Sequence, residues 1–187
     1  MNISAQRVNS FQFEKEQQLF FDTNIWIFIY GAHNTPGDQR VKTYSRALKR
    51  AKNAGATIFI DGVVVGELIN RGVRDDYAFH HPPQPGRMNF KTYRQTPEYA
   101  ASARAVASSV RAILRQCQLV ESVFASCDIE TELSGFESGQ TDWSDQMIVA
   151  LCHEHNLILM TDDGDFGESG LIILTRNPVY FMDATNA

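Results

Sequence analysis

The stretch from Thr141 to Phe166, TDWSDQMIVALCHEHNLILMTDDGDF, constrains the fold most. Leu157-Ile158-Leu159-Met160 is a continuous apolar run of strand length, the pattern of a strand covered on both faces. Before it, Ile148, Leu151 and Cys152 follow helical spacing, and Asn156 is a good stop. Asp142 and Asp145 stand three apart at the start of that helix, so they share one face. After the strand come Asp162, Asp163 and Asp165. Open α/β sheets bind ligands outside the carboxyl ends of their strands, so acids placed there and at a helix start suggest a site. The plain alternative is that each is a helix cap or a turn residue.

Two equivalent placements elsewhere favour the site. Leu19-Phe20-Phe21 is a short apolar strand ending in Asp22, and Thr23 or Asn24 can cap the helix that begins at Ile25. Thr57-Ile58-Phe59-Ile60 is the next strand. The valines after it favour a strand locally, but their position suggests a helix opened by Asp61 or Gly62. Glu67 then falls on the second turn, within reach of the sheet edge, unless it simply faces solvent. Two carboxylates about 4 Å apart repel by roughly 4 kcal/mol at an effective dielectric near 20. A fold keeps such a cluster when protons or cations neutralise it, and hard oxygen ligands favour Mg²⁺ or Mn²⁺.

The remaining elements alternate in the same way. Asp38 to Ala54 is a basic amphipathic helix closed by Gly55. Asn70 to Pro97 is the least regular part, with a surface loop at His80-His81-Pro82-Pro83-Gln84-Pro85-Gly86. Its two histidines can touch a ligand, although exposed loop histidines are usually plain. A long helix covers Glu98 to Cys117, with a brief strand at Leu119-Val120 and a short helix over Ile129–Phe136. Leu171 to Leu174 is a last strand, and the tail from Arg176 reads as irregular. Alternating strands and helices predict an α/β fold with a largely parallel sheet. The 187 residues fit one domain, with an N-terminal extension over 1–17 and a loop-plus-helix insertion over about 71–117.

Charge is strongly partitioned within a net −5. Gln39 to Ile60 carries six basic residues and no acid, whereas Gln116 to Thr175 carries twelve acids and no Lys or Arg. Arg71 to Arg115 has eight basic residues against three acids. An acidic pole beside basic surfaces suits a metal-dependent enzyme acting on a polyanion, although solvated basic helix faces are common. No apolar run approaches ~18–20 residues, and the polar N-terminus does not read as a secretory signal. Three cysteines without metal-type spacing suggest free thiols in a reducing cytosol. No P-loop or GxGxxG pattern occurs, and His153-Glu154-His155 is not HExxH.

The ordered set Asp22-Thr23-Asn24, Glu67, Asp145 and Thr161-Asp162-Asp163-Gly164-Asp165-Phe166 resembles the PIN-domain nucleases, and most of all the bacterial VapC-like toxins of toxin–antitoxin pairs. The likeness runs from about Leu19 to Phe181. It implies a three-layer α/β/α domain and metal-dependent RNA cleavage in the cytoplasm. It also implies a homodimer, a cognate antitoxin covering the site, and no membrane attachment. By position, Asp22, Glu67, Asp145 and Asp163 match the family's acidic quartet, which binds Mg²⁺ or Mn²⁺. Asp165 matches its common fifth acid, and Thr161 the adjacent hydroxyl. Thr23 and Asn24 belong to the first motif. Asp142 and Asp162 are extra, either outer ligands or bystanders. Arg40, Lys42, Arg46, Lys49, Arg71 and Arg74 are the candidate RNA-backbone contacts. The departure is the Pro/His-rich region from Arg71 to Pro97, longer than in a minimal toxin. Two other readings stay open. One is an aspartyl-phosphate phosphohydrolase, which would want D-x-D where this chain has Asn24. The other is an inactive PIN scaffold, which would be expected to have lost an acid.

Overall fold

A computed structural model describes residues 4–35, 37–137, 139 and 142–182. The strands are β1 (Ser4–Arg7), β2 (Gln18–Phe21), β3 (Thr57–Ile60), β4 (Gln118–Leu119), β5 (Ile158–Met160) and β6 (Ile172–Thr175). The helices are α1 (Thr23–Tyr30), α2 (Gln39–Ala54), α3 (Gly62–His80), α4 (Phe90–Tyr93), α5 (Pro97–Leu114), α6 (Ile129–Glu137) and α7 (Trp143–Glu154). The strands form one sheet in the order β1-β6-β5-β2-β3-β4, and every pairing is parallel. Helices flank it in a three-layer α/β/α arrangement, with α3 packed on α1 and α5, and α6 on α7.

This topology decides where a site can form. From β2 the chain builds outward through β3 and β4, then returns to the other side of β2 for β5 and β6. The winding therefore reverses between β2 and β5, and at such a switch point the loops diverge and leave a crevice. Phe20 pairs with Leu159 and Phe21 with Met160, so Asp22 and Thr161 leave the sheet side by side. The strands are apolar because both faces are covered: Leu19, Phe20, Phe21, Leu159, Met160 and Leu174 are fully buried. Trp26, Tyr44, Ile148 and Leu151 fill the core from the helices.

Helix boundaries follow the local chemistry. Asp38 caps α2 by accepting from the Arg40 amide at 2.8 Å, and Gly55 closes it in the left-handed conformation at φ 81°. Asp61 accepts from the Val64 amide at 3.0 Å and opens α3, so the valine run is helical because its cap and tertiary packing override β propensity. Two stretches differ from the sequence reading. Arg71 to His80, expected to be irregular, continues α3 without a break. No proline intervenes before Pro82, and the residue preceding a proline disfavours helical geometry, so α3 ends at His80 with His81 as its cap. Within the stretch read as an N-terminal extension, Ser4–Arg7 adds an edge strand along β6. Its short polar sequence gave no strand signal. The tail after Arg176 includes a 3₁₀ turn over Pro178–Phe181. Cys152 is buried, and Cys117 and Cys127 are free thiols.

Candidate active site

Asp22 sits at the N-cap position of α1, yet its side chain makes no helix-capping hydrogen bond. Its carboxylate turns across the switch point instead. Oδ2 accepts from the Thr161 hydroxyl at 2.8 Å and from the Asn24 side-chain amide. Asn24 also donates to Thr161 Oγ1 at 3.2 Å and accepts from the Asp162 amide at 3.3 Å. Thr161 Oγ1 in turn accepts from the Asp163 amide at 3.0 Å. The first and last motifs are thus laced together by short polar side chains at the ends of two adjacent strands.

Glu67 reaches the same place from α3. Its Oε2 accepts from the Thr23 hydroxyl at 2.7 Å, while Oε1 lies 3.4 Å from the Arg71 guanidinium. Asp145 comes from the first turn of α7. Asp142 caps that helix by accepting from the Asp145 amide at 3.0 Å, so Asp142 acts as a cap and its charge adds to the acidic field. Asp163 lies past β5, and its Oδ1 accepts from the Asp165 amide at 3.1 Å.

These carboxylates lie near enough to act on one another's charge. Burial pushes the Asp22 carboxyl up to about 6, helped by the charges of Glu67 and Asp163 and opposed by the Thr161 hydrogen bond. Asp145 is pushed up to about 7, by burial first and then by the charges of Asp142, Asp22, Asp163 and Glu67. Among the described residues, Arg71 against Glu67 is the one Lys or Arg ion pair to these four acids. The protein therefore leaves most of this charge uncompensated. Oxygen-only donors with unpaired charge fit a hard divalent cation such as Mg²⁺ or Mn²⁺.

Other predicted residues lie at the margin or outside. Asp162 is engaged elsewhere on one oxygen: its Oδ1 accepts from the buried Tyr44 hydroxyl at 2.6 Å. Asp165 begins the 3₁₀ turn Asp165–Glu168 and is exposed. Of the basic candidates, Arg40 is paired with Asp38 at 2.7 Å and covers the Phe28 ring, and Arg74 covers Phe90. Lys42, Arg46 and Lys49 are exposed on α2. Thr141 lies outside the described residues.

Three supporting residues were not singled out from sequence. Tyr44 holds Asp162 and also accepts from the Arg176 amide at 3.1 Å. Asn177 donates to the Asp162 carbonyl at 2.7 Å, and Tyr180 to the Asp163 carbonyl at 2.6 Å. The last two lie in the irregular tail, where neither periodicity nor motif marks them.

A doubly wound parallel sheet with Asp22 and Asp163 following the two strands at its switch point defines an α/β protein with acidic side chains at the carboxyl edge. The PIN-domain family model matches residues 19–170, and the chain belongs to that family, whose members are in general nucleases. Among solved structures it is similar to VapBC2 from Rickettsia felis bound to a DNA fragment from their promoter. That match has 16% identity and a TM-score of 0.51, and covers 85% of this chain and 98% of that one. PAE2754 from Pyrobaculum aerophilum matches at 10% identity and a TM-score of 0.47, over 94% of each chain. No curated protein matches the chain significantly. Among the described residues, no helix is long and apolar enough to cross a membrane.

Proposed function

We propose that this protein is a Mg²⁺- or Mn²⁺-dependent endoribonuclease and the toxin of a toxin–antitoxin pair in the cytoplasm. The observation that carries the reading is the raised carboxyls of Asp22 and Asp145, pushed toward neutral pH by burial first and then by neighbouring acids, Glu67 and Asp163 acting on both. Membership of a nuclease family supports hydrolysis of a nucleic-acid phosphodiester. The complex that the Rickettsia felis neighbour forms motivates the antitoxin partner, and a homodimer is part of the same proposal.

Asp22, Asp145 and Asp163 would hold the divalent ion, with Asp165 at the rim. When bound, the ion supplies neutralisation of phosphate charge and a lowered pKa for bound water. Asp22 and Asp145 must release their protons to serve as ligands, so loading is easier above neutral pH. Glu67 is oriented by Thr23 on one oxygen and restrained by Arg71 on the other. In this reading it orients the attacking water or takes its proton as the new phosphorus–oxygen bond forms and the bond to the leaving oxygen breaks. Thr161 and Asn24 fix the Asp22 carboxylate so that it need not reorganise. Lys42, Arg46 and Lys49 offer exposed charge to the RNA backbone, and Arg71 offers charge at the site itself.

The test is cleavage of a labelled structured RNA and of single-stranded DNA of the same sequence, with Mg²⁺, Mn²⁺ or EDTA, beside Asp145→Asn. Metal-dependent cutting of the RNA alone, lost in the variant, is the expected result. A folded protein that neither cuts RNA nor binds Mn²⁺ would overturn the proposal.

A further inference from the structure

A second constellation lies well away from the acidic quartet. Asp76 follows Glu67 by nine residues on α3, which places it about 13 Å along the helix and half a turn around it. There His33, Asp76 and His80 converge, their donor atoms all within 4.8 Å of one another. Asp76 and His80 are four apart on one helix face, the spacing that lets two side chains share an ion. His33 arrives from the loop after α1, and that loop is fixed by Asn34, whose amide donates to the Ile27 and Phe28 carbonyls at 3.2 and 2.9 Å.

The geometry points to a binding site for a late first-row divalent cation, Zn²⁺ above all, held by His33, Asp76 and His80. Four ligands on bonds of about 2.0–2.1 Å stand about 3.3 Å from one another in a tetrahedron. His33 Nε2 lies 2.8 Å and His80 Nδ1 3.6 Å from the same Asp76 oxygen, Oδ1. The second carboxylate oxygen is already engaged, accepting from the Tyr93 hydroxyl at 3.2 Å. That second bond orients the carboxylate, as outer-shell partners of metal ligands do. Phe79 stacks on the His33 ring at 4.0 Å and restrains it. His80 Nδ1 also sits 3.0 Å from the Asp76 carbonyl, and it gives up that contact on loading.

Two imidazoles and one carboxylate make a donor set for Zn²⁺ and its neighbours rather than for Mg²⁺. The chemistry thus separates this site from the acidic cluster. The ion would clasp the loop after α1 to the last turn of α3, at the rim of a cavity of about 260 Å³ between α1, α3 and α5. His33 and Asp76 line that cavity, and so does Trp26, whose buried indole N–H has no hydrogen-bond partner among the described residues.

The experiment is a titration of untagged, full-length protein with Zn²⁺ by calorimetry and with Co²⁺ by visible absorption, both in excess Mg²⁺. The variants are His33→Ala, His80→Ala, His81→Ala and Asp22→Asn. Both ligand histidines are solvent-accessible, and far-UV dichroism without metal checks that their variants fold. The expected result is one equivalent of Zn²⁺ and intense Co²⁺ d–d bands in the parent, His81→Ala and Asp22→Asn proteins. Affinity should fall at least about 100-fold in His33→Ala and His80→Ala. Three results would overturn the proposal: no binding by the parent, binding unchanged in both histidine variants, or binding lost in Asp22→Asn. The first would leave His33 and Asp76 as a hydrogen-bonded pair, and the last would put the ion in the acidic cluster. This test does not depend on nuclease activity.

Discussion

The Thr161 hydroxyl donates to Oδ2 of Asp22 at 2.8 Å, joining residues 139 positions apart across the switch point of the sheet. The same hydroxyl oxygen accepts from the Asp163 amide and from Asn24. One buried atom thus sets the relative positions of two candidate ligands. Thr161→Val keeps the shape and removes the hub. We expect Mn²⁺ affinity to fall about 10–100-fold, with about 1–3 kcal/mol lost because buried donors are left unpaired. A Mn²⁺ titration and a denaturant melt check both. Unchanged affinity would show that Asn24 and the Asp165 amide hold Asp22 and Asp163 without Thr161.

On the proposed function, Asp145→Asn should lower cleavage at least about 100-fold, since it would delete a direct ligand rather than an outer partner. Without metal, the same variant should be as stable as the parent or more stable, because it removes a charge that Asp142, Asp22, Asp163 and Glu67 all oppose. Activity together with melting in EDTA checks the pair of outcomes. Loss of activity accompanied by loss of stability would mean that Asp145 is structural.

The raised carboxyls make a signed prediction for pH. Asp22 at about 6 and Asp145 at about 7 bind protons more tightly in the folded chain than at the ordinary value of 3.8. Between about pH 4 and pH 7 the native state therefore holds more protons than the unfolded one, and metal-free stability falls as pH rises through that window. Asp22 accounts for about 3 kcal/mol at most. Asp145 contributes less than its shift alone implies, because it is half-buried and water screens it. The melting temperature in EDTA should drop from pH 5 to pH 8. The slope should be shallower in the Asp22→Asn and Asp145→Asn double variant, and added Mg²⁺ should reverse the loss at the alkaline end. A flat profile in EDTA would argue against the raised pKa values.

The α/β class and the acids that follow β2 and β5 were legible in the sequence because both have short-range signatures. A continuous apolar run marks a strand covered twice, and an acid directly after it marks the sheet edge. Glu67 was harder, since its valine-rich surroundings favour a strand, and it was placed only by assigning Asp61 or Gly62 as the start of a helix. What failed was set by distant partners. β1 is polar, and its existence depends on the edge that β6 offers it. Asp162 looks like its neighbour Asp163 in sequence, and its hydrogen bond from Tyr44, 118 positions away, has no local signal. His80 reads as a loop histidine until α3 is seen to continue and bring it one turn beyond Asp76.

A last prediction concerns the packing that holds α3, and with it Glu67, in place. Gly72 lies where α3 crosses α5, and a Cβ built there would meet the two methyls of Val106 at 2.9 and 3.1 Å. Valine has a strongly preferred rotamer in a helix and cannot turn aside cheaply, so the helices must separate. Gly72→Ala gains about 1 kcal/mol of helix propensity and loses about 1–3 kcal/mol to overpacking. The balance should be a net loss of about 1 kcal/mol and a melting temperature lower by about 2–4 °C. Val106→Ala removes the opposing methyls, so in the double variant the Gly72→Ala penalty should disappear, a coupling that a double-mutant cycle measures directly. If Gly72→Ala alone melts at or above the parent, Val106 has yielded toward the neighbouring cavity, and the close approach of α3 and α5 is not what fixes Glu67.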